Sequence, residues 1–174
     1  MSNLQDNTTY HPTGLLISHA AFGDANCELC GHAVKYQYEI INENDHSLLI
    51  GSDCILKFKC VSPFTNVAYI SLEDIRIDMV KLMLLEFIKK GASKSFIDSL
   101  MKDDLIKKGY SPKQMIAIEN IACGFRISYD IGWFKINLRT DHNISQLDAM
   151  IAHPNWNTLK FALSDTQMKR YKLA

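Results

Sequence analysis

The feature that most restricts the fold of this 174-residue chain is Cys27-Glu-Leu-Cys30-Gly31, followed by Cys54 in Gly51-Ser-Asp-Cys54. Two thiols three residues apart address one centre only if the chain turns sharply. The glycine after the second thiol permits that turn and lets backbone amides approach the sulfurs. Val34–Ile41 alternates apolar and polar residues, as a half-buried strand does. Asn42–His46 is a turn by composition, and Ser47–Ile50 is a second short strand ended by Gly51. Together these segments predict a β-hairpin. Ser52–Phe58 reads as the first turns of a helix. Cys54 then lies near a helix N-terminus, where thiolate is favoured. Paired cysteines, a hairpin and a helix-borne cysteine form a donor set suited to one structural zinc ion.

Structural zinc takes four protein ligands, and the fourth is open. His19 ranks first, because eight residues before Cys27 are enough chain to fold back over the site. Cys60 ranks second, although on a continuous helix it would sit about 9 Å beyond Cys54. His32 ranks third, since its reach back to the same ion is tight. A solvent molecule is a further choice. A thioredoxin-like redox centre needs a strand before the motif and a helix after it, whereas here a strand follows. Five cysteines, an odd number, also argue against a disulfide framework. Cys123, alone near a predicted helix end, is expected to be a small buried residue.

Over about residues 15–60 the order of knuckle, hairpin and helix resembles a treble-clef zinc finger. One departure stands out. The usual second ligand from the helix would fall three residues after Cys54, where this chain has Lys57, which cannot serve. Cys-Glu-Leu-Cys-Gly-His with the later Ile-Gly-Ser-Asp-Cys-Ile-Leu-Lys-Phe is also similar to uncharacterised proteins of bacteriophages and bacterial mobile elements. The Ser-Pro-Lys-Gln opening at 111–114 and Phe-Lys-Ile-Asn-Leu-Arg at 134–139 resemble segments of the same proteins. That likeness implies an accessory role in nucleic-acid transactions or host interaction and brings no known reaction.

Beyond Ser62-Pro-Phe-Thr-Asn66 helical signals dominate. Ser71 caps a long helix that Lys89-Lys90-Gly91 closes. Its apolar residues spread widely enough to make it a central, buried helix. A second helix is expected over 95–108, and a third from the capping box Ser111-Pro-Lys-Gln114 to Gly124. Phe125–Asp130 and Trp133–Arg139 read as two strands about Gly132. Short helices near 145–152 and 164–171 follow, the latter opened by a second Ser-x-x-Gln box. The expected fold class is α+β: a zinc knuckle plus hairpin packed on a mainly helical body with a small C-terminal β-element. The expected divisions are a flexible N-terminus over 1–13, a zinc-binding module over 14–61 and the body over 67–174.

No signal peptide pattern opens the sequence and no apolar run is long enough to span a bilayer, so a cytoplasmic protein without membrane attachment is expected. The formal net charge is zero, yet residues 1–50 carry six acidic residues against Lys35 alone, leaving the rest of the chain at +5. Lys57/Lys59, Lys107/Lys108 and Lys169/Arg170/Lys172 are local basic clusters. Tyr36 and Tyr38 share one face of the first hairpin strand, and with Lys57 and Lys59 they are the candidate contacts for single-stranded nucleic acid. Packing of both tyrosines against the body is the competing reading. Motifs for zinc deaminases, zinc proteases, P-loops, dinucleotide folds and serine hydrolases are absent. Asp141-His142 is adjacent in sequence, so its side chains point apart. The expected function is therefore a non-enzymatic zinc-containing protein that binds nucleic acid. The alternatives are a protein-interaction module or inhibitor of a host protein, and a zinc hydrolase with an open coordination position.

Overall fold

The computed structural model describes residues 9–18, 25–34, 36–57 and 60–173. The chain divides into two compact units, 1–82 and 83–174.

In the first unit, β1 (Tyr10–Ser18), β4 (Tyr36–Asn42) and β5 (Ser47–Ile50) form an antiparallel sheet in the order β1-β4-β5. A two-stranded ribbon of β2 (Ala25–Asn26) and β3 (Ala33–Val34) precedes β4. The helix α1 (Ser52–Lys57) follows β5 directly. The predicted hairpin is β4–β5, with Tyr38 opposite Ile50 and Ile41 opposite Ser47. Its turn is fixed locally: Asn42 Oδ1 accepts from the backbone N–H groups of Asn44 and His46, at 3.0 and 2.9 Å. Asp45 takes the left-handed conformation, φ 58°, which short polar side chains tolerate.

The strand predicted over 14–18 begins earlier, at Tyr10. Its register against β4 shifts between Pro12 and Leu16. Proline removes a donor from the ladder there, and Gly14 at φ 94° supplies the bulge. A Cβ at Gly14 would meet Leu82 Cβ at 3.0 Å. Ile40, Ile50 and Ile55 are fully buried in this unit.

The long helix α2 (Leu72–Lys89) runs across the division at 82/83. Ser71 caps it, its Oγ accepting from the Asp74 N–H at 3.1 Å. Residues 75–80 are all buried, which explains the broad apolar face in its sequence. Two of them are polar. Arg76 pairs with Glu73 at 2.8 Å, and Asp78 accepts from the Tyr69 hydroxyl at 2.8 Å.

The second unit contains α3 (Lys94–Leu100), α4 (Asp103–Lys108), α5 (Pro112–Phe125), α6 (Asp141–Ser145), α7 (Leu147–Ile151), α8 (Trp156–Leu159) and α9 (Asp165–Arg170). Both predicted capping boxes form, at Ser111/Gln114 and Ser164/Gln167. The single helix expected over 95–108 is two, broken at Met101-Lys102. The carbonyl of Leu100 accepts from the buried Tyr110 hydroxyl at 2.8 Å, so a tertiary partner satisfies a carbonyl at the buried helix end.

The predicted strand pair over 125–139 does not form. Ile131–Trp133 is a 3-10 turn in which Asp130 Oδ1 accepts from the Gly132 N–H at 2.9 Å. The ribbon after it alternates as a strand would, with Phe134, Ile136 and Leu138 buried. It finds other partners: Tyr110 N–H donates to Lys135 O at 2.7 Å, Asn137 N–H to Tyr110 O at 2.8 Å and Ile136 N–H to Ala162 O at 3.2 Å. Asp141-His142 opens α6, where the His142 Nε2 and Gln146 Nε2 atoms lie 2.8 Å apart. The aromatic core stacks edge to face, with Tyr129 5.7 Å from Phe87 and 5.6 Å from Phe134.

Among the described residues no helix is long and apolar enough to cross a membrane.

Candidate metal centre

The turn between β2 and β3 carries Cys27 and Cys30. The Cys27 N–H donates to His32 O and the Gly31 N–H to Cys27 O, both at 2.8 Å. Gly31 sits at φ 74°, so the glycine after the second cysteine is a conformational requirement of the turn. The turn is docked on the hairpin edge by a reciprocal pair of bonds. Glu28 N–H donates to Leu49 O at 3.0 Å, and Leu49 N–H donates to the Glu28 carboxylate at 2.6 Å. Gln37 Nε2 adds a bond to Asn26 O at 2.9 Å.

Gly51 links the hairpin to α1. A Cβ there would meet Val34 Cγ1 at 2.7 Å, a separation that real contacts do not reach. The missing side chain lets the start of α1 lie against the β2–β3 ribbon. Cys54, in the first turn of α1, thereby reaches the turn cysteines. Its Sγ is 3.4 Å from Cys30 Sγ, and the sulfurs of Cys27, Cys30 and Cys54 all lie within 4.8 Å of one another. The three are placed to hold a metal ion. Cys27 and Cys54 are buried, and Cys30 is exposed.

The thiols are electrostatically unequal. Burial pushes Cys27 up, but the backbone at Gly51, Cys30 and Leu29 and the Cys54 thiol outweigh it, so its pKa falls below the usual value. Cys54 is pushed up to about 12, first by burial, then by hydrogen bonding to Cys30 and Cys27 and by their charge. Three sulfurs this close repel one another as thiolates, and a bound cation would remove that conflict.

The other expected site residues are distributed as follows. His19 and Lys59 lie outside the described residues. Cys60 is buried and is not among the clustered sulfurs; burial pushes its thiol up to about 11. His32 is exposed and lines an open groove of about 540 Å³ together with Cys30, Cys54, Tyr36 and Lys57. Tyr36 is exposed, whereas Tyr38, two residues on, is buried, so the two tyrosines do not form one open platform. Asp53 also lines the groove. In the sequence, a single acid in a first helical turn reads as ordinary helix chemistry.

Cys123, expected to be buried, is exposed. Asn155 Nδ2 donates to its sulfur at 3.0 Å, and its thiol lies 3.4 Å from Glu119 Oε1. Glu119 is itself buried, accepting from the Tyr129 hydroxyl at 2.7 Å and from Asn155 Nδ2 at 2.8 Å. This helix-to-loop network holds the end of α5 and carries no sequence pattern of its own.

No protein-family model, curated protein or solved structure matches this chain.

Proposed function

We propose that this chain is a non-enzymatic binding protein whose N-terminal module is tied together by one structural zinc ion and whose partner is nucleic acid. The carrying observation is the convergence of the Cys27, Cys30 and Cys54 sulfurs within 4.8 Å. A tetrahedral zinc ion with Zn–S bonds of about 2.3 Å holds its sulfurs about 3.8 Å apart. The Cys30–Cys54 separation of 3.4 Å is close to that spacing. The ion would join three elements: the β2–β3 turn, the end of the hairpin and the start of α1. The fourth ligand in this reading is His19. His32, on the wall of the groove beside Cys30 and Cys54, is the second choice.

The nucleic-acid half of the reading is supported by Tyr36 and Lys57 sharing that groove. An exposed ring and a cation lining one groove suit a stacked base and its phosphate. A second reading, a hydrolytic zinc site with solvent as fourth ligand, is favoured by the same opening at Cys30.

Zinc per chain by elemental analysis tests the first half. One equivalent is expected, lost in Cys27→Ser and Cys54→Ser and retained in Cys60→Ser, with His19→Ala and His32→Ala separating the ligand choices. Absence of zinc from freshly reduced protein would end the proposal. Binding to single-stranded DNA and RNA tests the second half. It should weaken with rising salt and should fall in Tyr36→Ala and in Lys57→Glu.

A further inference from the structure

The second unit, residues 83–174, carries fourteen basic against nine acidic residues, a net +5. Much of that excess converges on one concavity. The ribbon at 134–139 buries Phe134, Ile136 and Leu138, so alternation turns Lys135 and Arg139 outward from the same strip. On one side of the strip lie Lys107 and Lys108, in the last turn of α4. On the other lies Arg170, in the last turn of α9. These five cations line an open cleft of about 420 Å³, and no described residue lining it is acidic.

The cleft is built by specific contacts. Gly109, at φ 90°, brings the end of α4 onto the ribbon; a Cβ there would meet Lys135 O at 2.8 Å, a backbone atom that cannot swing away. From the other side, Gln167 Nε2 donates to Ile136 O at 2.8 Å and fixes α9 against the strip. The hydroxyls of Ser164 and Thr166 and the ring of Tyr171 complete that wall. The Arg170 guanidinium carbon lies 5.6 Å from the Tyr171 ring centre. The Tyr171 hydroxyl is buried with no hydrogen-bond partner.

We infer that this cleft is a binding site for phosphate groups, held by Lys107 and Lys108 on one side of the ribbon, Arg139 on the ribbon itself and Arg170 on the other side. Arginine forks and lysine ammoniums are the groups that hold phosphate oxygens. The open form of the cleft suits a phosphate chain or a sugar-phosphate backbone passing through it. The inference rests on the second unit alone and stands whether or not the cysteine centre binds zinc.

The test uses the full-length chain with three probes at low salt: inorganic pyrophosphate, ATP without added metal, and a twelve-nucleotide single-stranded DNA. Pyrophosphate is expected to shift the backbone amide NMR signals of residues 135–139 and 164–170. Arg139→Glu/Arg170→Glu is expected to weaken binding at least about tenfold, the size of a lost charged hydrogen bond. Lys113→Glu, a charge reversal on the exposed start of α5 outside the cleft, is expected to leave binding within about twofold. If the double reversal unfolds the chain, Arg139→Gln/Arg170→Gln replaces it. Binding of DNA alone that the double reversal weakens identifies a nucleic-acid backbone as the source of the phosphate; binding of ATP or pyrophosphate as well identifies free phosphates; DNA binding that the double reversal leaves unchanged overturns the proposal. No binding of any probe overturns the proposal, as does equal loss in the cleft and control variants.

Discussion

Gly51 holds the tightest side-chain clearance among the described glycines of the N-terminal unit, with 2.7 Å between a notional Cβ and Val34 Cγ1. Valine is stiff at χ1 and cannot yield easily. Gly51→Ala should therefore push α1 from the β2–β3 ribbon and carry Cys54 away from Cys27 and Cys30. The expected result is a loss of about 1–3 kcal/mol in urea melts, with metal surrendered to a chelator at lower concentration than in wild type. Cys60 supports a different prediction. Burial raises its thiol from 9.0 to about 11, and burial is also the first cause raising the hydroxyls of Tyr69 and Tyr129, each of which additionally faces a carboxylate. Groups with raised folded-state pKa values favour the fold while protonated. Stability from Cys60 is thus full below about pH 9 and is lost as the pH rises toward about 11. Chemical denaturation at pH 8, 9, 10 and 11 should give a falling midpoint, and Cys60→Ala should reduce the slope. Iodoacetamide should leave Cys60 unmodified at pH 8 until the chain unfolds.

At the level of elements, side-chain caps mark the starts of α2, α5, α6 and α9. Ser111 and Gln114 satisfy one another's backbone donors at the head of α5, with the Ser111 Oγ accepting at 3.2 Å and Gln114 Oε1 at 2.9 Å. Ser111→Ala should cost about 1 kcal/mol, read as a lower thermal midpoint, and Ser111→Asp should restore most of it. The break between α3 and α4 has no such local signature. Leu100 and Ile106 are both fully buried, and the apolar period does not reveal that the Tyr110 hydroxyl terminates α3. The ribbon at 134–139 makes the same point. Its alternation was legible, but the sequence suggested the preceding segment as its partner. Asp130 and Gly132 close a 3-10 turn instead, and Tyr110 and Ala162 take the ribbon's hydrogen bonds.

For the whole molecule, charge and stabilising chemistry divide with the two units. Residues 1–82 are acidic and hold the cysteine cluster; residues 83–174 are basic and hold the aromatic core of Phe87, Tyr110, Tyr129 and Phe134. If a metal ion ties the first unit, its removal should act there first. Hydrogen exchange after chelation should speed up at the amides of residues 27–31 and 47–55, while those of α5 keep their protection. Uniform loss of protection throughout would show instead that the ion supports the entire fold.

The sequence by itself determined those features whose causes lie within a few residues: the sharp turn at Cys27–Gly31, the β4–β5 hairpin, the helix beginning just before Cys54, the two capping boxes, the buried length of α2 and the uneven charge. Backbone sterics, capping and apolar period act over that range and leave a readable pattern. Tertiary structure alone decided which distant groups meet. The clearance at Gly51, the exposure of Tyr36 beside a buried Tyr38, the partners of the 134–139 ribbon and the gathering of Lys107, Lys108, Lys135, Arg139 and Arg170 all depend on packing between segments tens of residues apart. No local rule encodes such contacts, because the free energy that selects them comes from burying many surfaces at once.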